Sequence, residues 1–188
     1  GGPPRSMVVL LHGYGSNGED LIGLAPHWQA ALPRTLFLAP NAPQACPGVP
    51  NGFQWWPLTS LTPPARAAGV RLSAPALGAY LDSQLSLYGL AEDRLALVGF
   101  SQGTMMALHI GPRRGRAIAG IVGYSGMLAD PDALCAEVRT RPQVLLVHGD
   151  ADTTLPVTAL SHAEMALKDL GFEVAAHVSR GLGHGIDE

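Results

Sequence analysis

The stretch Arg94-Leu95-Ala96-Leu97-Val98-Gly99-Phe100-Ser101-Gln102-Gly103-Thr104-Met105-Met106-Ala107-Leu108-His109-Ile110 decides how this sequence folds. Residues 94–98 form an apolar run that reads as a buried strand. Residues 104–110 are mostly good helix formers. Between them lies the G-x-S-x-G turn Gly99-Phe100-Ser101-Gln102-Gly103, so the segment reads strand, tight turn, helix. That order is a nucleophile elbow. The turn crowds the backbone on both sides of the serine, and glycine avoids the clash. Ser101 is thereby held in a strained conformation, its hydroxyl above the strand end and at a helix start. Such a serine needs a base, an acid and oxyanion-binding amides from elsewhere in the chain.

Composition narrows the field. The 188 residues are 47% apolar and 14% charged, with a net charge of −3, which suits one globular domain with a sizeable core. No basic patch or stripe appears, so a nucleic-acid partner is not expected. No apolar run approaches the ~18 residues of a membrane span. The opening Gly1-Gly2-Pro3-Pro4-Arg5-Ser6 lacks the features of a signal peptide. Two cysteines, Cys46 and Cys135, make no disulfide framework and sit in no metal-binding cluster, which favours a cytoplasmic setting. The seven histidines show no metal-ligand spacing.

Outward from the elbow, strands alternate with helices. Met7 to His12 is an apolar strand of the kind buried on both sheet faces. It runs into Gly13-Tyr14-Gly15-Ser16-Asn17-Gly18, a shaped loop. Glu19 and Asp20 open a helix that Pro26 kinks or divides before Leu32. Further strands are expected at 35–39, 117–124, 143–148 and 173–178. Helices are expected at 65–88, near Asp130-Pro131-Asp132, and at 157–170. From Pro40 to Pro64 regular structure is expected to stop. This stretch holds seven prolines (40, 43, 47, 50, 57, 63 and 64) and the pair Trp55-Trp56. A long irregular segment with apolar residues to bury reads as a functional loop. The alternation implies an α/β fold, a mostly parallel central sheet with helices on both faces and the site at the strands' carboxyl ends.

Every polar, glycine-rich loop of interest follows a strand and falls on that edge. His184, between Gly183 and Gly185 after the last strand, is poorly placed for core packing and suits a general base. The loop after the 143–148 strand offers two acids, Asp150 and Asp152. Asp152 lies deeper and can turn toward the sheet edge, whereas Asp150 suits ordering of the turn. Spacing favours Asp152 and leaves both open. One oxyanion amide belongs to Gln102, directly after the nucleophile, and the other is assigned to Tyr14 in the first loop.

Four stretches together carry a more specific likeness: His12-Gly13-Tyr14-Gly15, Gly99 to Gly103, His148-Gly149-Asp150-Ala151-Asp152 with Leu155-Pro156, and Gly183-His184-Gly185. In register over nearly the whole chain, they resemble the carboxylesterase, phospholipase and acyl-protein thioesterase family of α/β-hydrolases. Gln54-Trp55-Trp56 is similar to the tryptophan-bearing stretch of that family's lid-like loop. The resemblance implies a Ser101, Asp152 and His184 triad, Tyr14 and Gln102 as oxyanion donors, and no cofactor or metal. Family members usually have strands ahead of the first one here and a helix after the catalytic histidine. This chain opens six residues before its first strand and stops four after His184, so it is expected to be the retained part of a longer protein.

The expectation is therefore a single domain over 1–188 with a lid-like loop at 40–64, hydrolysing a small-molecule or acyl-bearing ester through Ser101. Gly13, Trp55, Trp56 and Leu155 are expected to contact substrate. An acyl-protein thioesterase is the nearest alternative, a non-catalytic ligand-binding scaffold the more distant one, and a homodimer is left open. Gly123-Tyr124-Ser125-Gly126 is followed by Met127 rather than glycine, so Ser125 reads as a turn residue. His12 and His148 read as buried histidines that shape loops.

Overall fold

The computed structural model describes residues 2–187. Positions 1 and 188, the limits of the expected domain, lie outside it. Six strands form the main sheet: β1 (Ser6–Leu11), β2 (Thr35–Leu38), β5 (Leu95–Phe100), β6 (Gly120–Tyr124), β7 (Gln143–Gly149) and β8 (Val174–Ser179). Their order is β2-β1-β5-β6-β7-β8, and each neighbouring pair is parallel. The chain steps outward from β1 to β2, then returns to the other side of β1 for β5. The crevice at such a reversal, beyond the strands' carboxyl ends, is where open α/β sheets place their sites. Register makes those ends level: Leu11 lies opposite Gly99, and Phe100 opposite Tyr124.

Strand β1 shows why the apolar runs became central strands. Met7, Val9 and Leu11 enter one core layer, while Val8 and Leu10 enter the other. The first layer also holds α3 (Pro63–Tyr88), α4 (Gln102–Ile110) and α6 (Thr158–Asp169), through Leu77, Leu81, Met106, Leu108 and Leu167. The second layer is lined by α1 (Gly18–Ile22) and α2 (Ala25–Gln29), with Leu21 and Trp28. Asn17 caps α1 by accepting the Asp20 N–H at 2.9 Å. Pro26 sits in the first turn of α2, so the proline divides the helix as expected. A short α5 (Pro131–Glu137) follows β6.

The 40–64 region differs from expectation in its interior and at its C-terminal end. It contains a two-residue antiparallel pair, β3 (Gln44–Ala45) with β4 (Phe53–Gln54), and its last two residues already belong to α3. Thr62 is extended, and Pro63 and Pro64 occupy the first helical turn, where a missing N–H costs nothing. The loop proper is thus 40–62. Its middle, 52–56, is largely buried, while 47–51 and 57–62 are exposed.

Candidate active site

Ser101 sits between β5 and α4 with φ +53° and ψ −113°. A non-glycine residue there is strained and persists only when its surroundings over-determine it. They do. Ser101 N–H donates to Tyr124 O at 2.9 Å, and Ser101 O accepts from Met105 N–H at 3.2 Å. A Cβ on Gly99 would lie 2.4 Å from Thr104 N, and one on Gly103 would lie 1.9 Å from Leu11 O. Both glycines of the motif are therefore sterically required, and α4 rides directly on the end of β1.

His184 Nε2 lies 2.9 Å from Ser101 Oγ, and His184 Nδ1 lies 2.7 Å from Asp152 Oδ2. The other carboxylate oxygen, Oδ1, accepts the N–H groups of Thr154 at 2.8 Å and Leu155 at 2.9 Å. Burial alone would raise the Asp152 carboxyl, but hydrogen bonds from His184, Leu155 and Thr154 outweigh it and hold the group below its ordinary 3.8. The short turn after β8 carries His184, and neighbouring backbone fixes it. Ala151 N–H donates to Leu182 O at 3.0 Å, and a Cβ on Gly149 would lie 2.1 Å from that oxygen.

The two acids left open by spacing are separated by this geometry. Asp150 Oδ1 accepts the Gly181 N–H at 2.6 Å, so it steadies the turn before His184 and does not reach the imidazole. Ser125, whose φ is +45°, donates through Oγ to Gly185 O at 3.1 Å. It is a turn residue that also holds the far side of the His184 loop.

Gln102 is the first residue of α4, so its N–H has no intrahelical acceptor. Tyr14 is exposed and lies in the loop after β1. Gly13 brings that loop against the elbow: a Cβ there would lie 3.0 Å from the Phe100 ring and 3.3 Å from Ser101 Cβ. Leu155 is half-buried and packs on the core, while its backbone carries Asp152.

Trp55 and Trp56 correct an expectation. Each is only 2% exposed, so neither offers appreciable surface to a substrate. Trp55 donates its indole N–H to His12 O at 3.0 Å, and Trp56 lies where a Cβ on Gly69 of α3 would clash. The tryptophans pin the loop to the body. The buried histidines behave as read. His12 Nδ1 donates to Gly13 O at 2.7 Å and Nε2 accepts Ala42 N–H at 2.9 Å, a neutral tautomer, and burial lowers its pKa. His148 proves closer to the chemistry than its reading suggested, since its Nε2 lies 3.1 Å from Asp152 Oδ2.

A family model described as phospholipase/carboxylesterase matches residues 1–188. The chain belongs to the phospholipase/carboxylesterase family. Among proteins of known sequence, it is 30% identical to acyl-protein thioesterase 1 of Schizosaccharomyces pombe, over 96% of this chain and 84% of that one. It is 27% identical to esterase YpfH of Escherichia coli, over 98% of this chain and 78% of that one. The crystal structure of esterase PE8 superposes with a TM-score of 0.96 at 44% identity, covering all of this chain and 88% of the other. The fold is the α/β-hydrolase fold of these phospholipase/carboxylesterase relatives. Among the described residues, no cluster of histidine, cysteine, aspartate or glutamate is arranged to hold a metal ion, and no helix is long and apolar enough to cross a membrane.

Proposed function

We propose that this chain hydrolyses carboxylic esters through an acyl-enzyme on Ser101. The observation that carries the reading is the continuous hydrogen-bonded chain from Ser101 Oγ through His184 to Asp152. Ser101 Oγ attacks the acyl carbon as its proton passes to His184 Nε2. Asp152 holds the imidazole in the tautomer that bares Nε2, and its buried charge stabilises the imidazolium. The carbonyl oxygen becomes an oxyanion within reach of the Gln102 and Tyr14 amides. Collapse breaks the acyl–oxygen bond, and the imidazolium returns its proton to the leaving alkoxide. Water then repeats the sequence with roles reversed and frees Ser101.

Replacing Ser101 by alanine should lower ester turnover by roughly six orders of magnitude. Retention of near wild-type turnover would end the assignment. A fluorophosphonate should label wild type on Ser101; a folded protein that takes no label would favour the ligand-binding scaffold instead. The thioesterase reading has a specific support in the likeness to the S. pombe protein. Rates over matched esters and thioesters of increasing acyl length decide it, and a strong preference for long acyl-cysteine peptides would displace the ester reading. A single domain and a cytoplasmic setting remain part of the proposal, the latter supported by the free thiols Cys46 and Cys135.

A further inference from the structure

Two amides on separate loops must converge on one oxygen, and nothing in the sheet itself ensures that they do. The pairing of β1 with β5 ends at Leu11 and Gly99. Tyr14 and Gln102 both lie beyond that point. A third segment, Phe53 to Trp56, bonds to both loops. On the Tyr14 side, Phe53 O accepts Gly15 N–H at 2.9 Å, and Phe53 N–H donates to Ser16 O at 2.8 Å. Trp55 adds its indole N–H to His12 O. Tyr14 is therefore bracketed before and after by bonds to one segment. On the other side, the Gln102 side chain accepts Trp55 N–H at Oε1 (2.8 Å) and donates from Nε2 to Trp56 O (2.9 Å). Gln102 is 2% exposed, so water does not compete for these bonds. Ser73 of α3 closes the outer side by donating to Trp55 O.

We propose that residues 53–56 are a splint that sets the spacing of the oxyanion hole, with Trp55 and the Gln102 side chain as its positioning residues. This rests on the ester-hydrolase reading and adds to it. Gln102 serves twice: its backbone N–H meets the oxyanion, and its carboxamide fixes the segment that aligns the opposite amide. The inner part of a loop expected to choose the substrate instead tunes the transition state. Such residues act on charge that appears only during reaction, so their loss shows in kcat rather than KM.

Two variants isolate the effect. Trp55→Phe removes the indole N–H and keeps an aromatic ring in the core. Gln102→Met removes both carboxamide bonds and keeps the backbone N–H. With a p-nitrophenyl ester, each should lose about 10- to 100-fold in kcat while KM stays within about threefold. Affinity for a trifluoromethyl ketone, whose adduct with Ser101 carries an oxyanion, should fall in parallel with kcat/KM. Leu81→Ala, a core control, should lower thermal stability and leave both quantities in place. If Trp55→Phe fails to fold, Gln102→Met decides alone. Folded variants that keep kcat within about twofold would overturn the splint, as would a change confined to KM and acyl-length preference. Wild type that takes no fluorophosphonate label would instead sink the hydrolase reading, so the two failures are distinct.

Discussion

His148 Nε2 lies 3.1 Å from Asp152 Oδ2, the same oxygen that receives His184 Nδ1 at 2.7 Å. Leu155 O lies 2.9 Å from that nitrogen as well. A carboxylate and a carbonyl only accept, so His148 Nε2 carries a hydrogen. With Thr154 and Leu155 on Oδ1, the carboxylate is held at both ends, and its side chain has no exposed surface. A buried charge of this kind is tolerable only when its lone pairs are satisfied.

His148→Leu should therefore loosen Asp152 and lower kcat by about 10- to 100-fold with little change in KM. His148→Gln, which can still offer an N–H, should fall between wild type and His148→Leu. Steady-state kinetics on the two variants check the order. Equal kcat for both, at wild-type level, would reduce His148 to a filler of space.

The two aspartates should separate sharply. Asp152→Asn keeps the shape but removes the charge and favours the wrong imidazole tautomer, a loss of about 10⁴-fold in kcat. Asp150→Asn retains an oxygen for the Gly181 N–H, so its loss should stay below about tenfold. Parallel kcat measurements on both decide the assignment.

Gly103→Ala should be among the most damaging small changes in the chain. The added methyl meets Leu11 O, a backbone atom that cannot rotate away, so α4 must lift from β1. We expect a loss of more than about 3 kcal/mol in urea denaturation. Gly115→Ala is the matched control, since a Cβ there meets nothing within 4 Å.

His109 gives the fold a pH dependence separate from catalysis. Burial, with Arg113 and Arg71 nearby, lowers its pKa from 6.5 to about 4. Between those values the unfolded chain binds a proton that the folded chain refuses, so stability is full above 6.5 and falls as pH falls toward about 4. The slope contributed is at most ~1.4 kcal/mol per pH unit. Denaturation midpoints of wild type and His109→Gln across this window should show a flatter curve for the variant. Asp152 acts lower: its contribution stands above 3.8 and is lost as pH drops through its depressed value.

The inner strands were legible because they are apolar runs with both faces buried, as Met7 to Leu11 shows, while the edge strand β8 is largely exposed. The loops that follow them were legible because glycine, serine, aspartate and histidine have little other reason to cluster there. What escaped was non-local. Gln102 reaches a segment 47 residues away, and no local pattern announces that contact. Trp55 and Trp56 are apolar whether they line a pocket or fill a core; the room left by Gly69 decides it. The pair β3 and β4 is two residues long, too short to show a period. His148 and Asp152 stand four apart, but only the turn after β7 folds one onto the other. The early start of α3 was within reach, since a threonine before two prolines marks a helix entry.

The 40–62 loop has an anchored middle and two exposed arms, 47–51 and 57–62. This arrangement uncouples the loop's outer surface from the catalytic groups beneath it. New side chains on the arms would point into solvent, whereas a change within 52–56 would fall among buried bonds. An engineer retargeting this scaffold should graft arms and leave their common root alone.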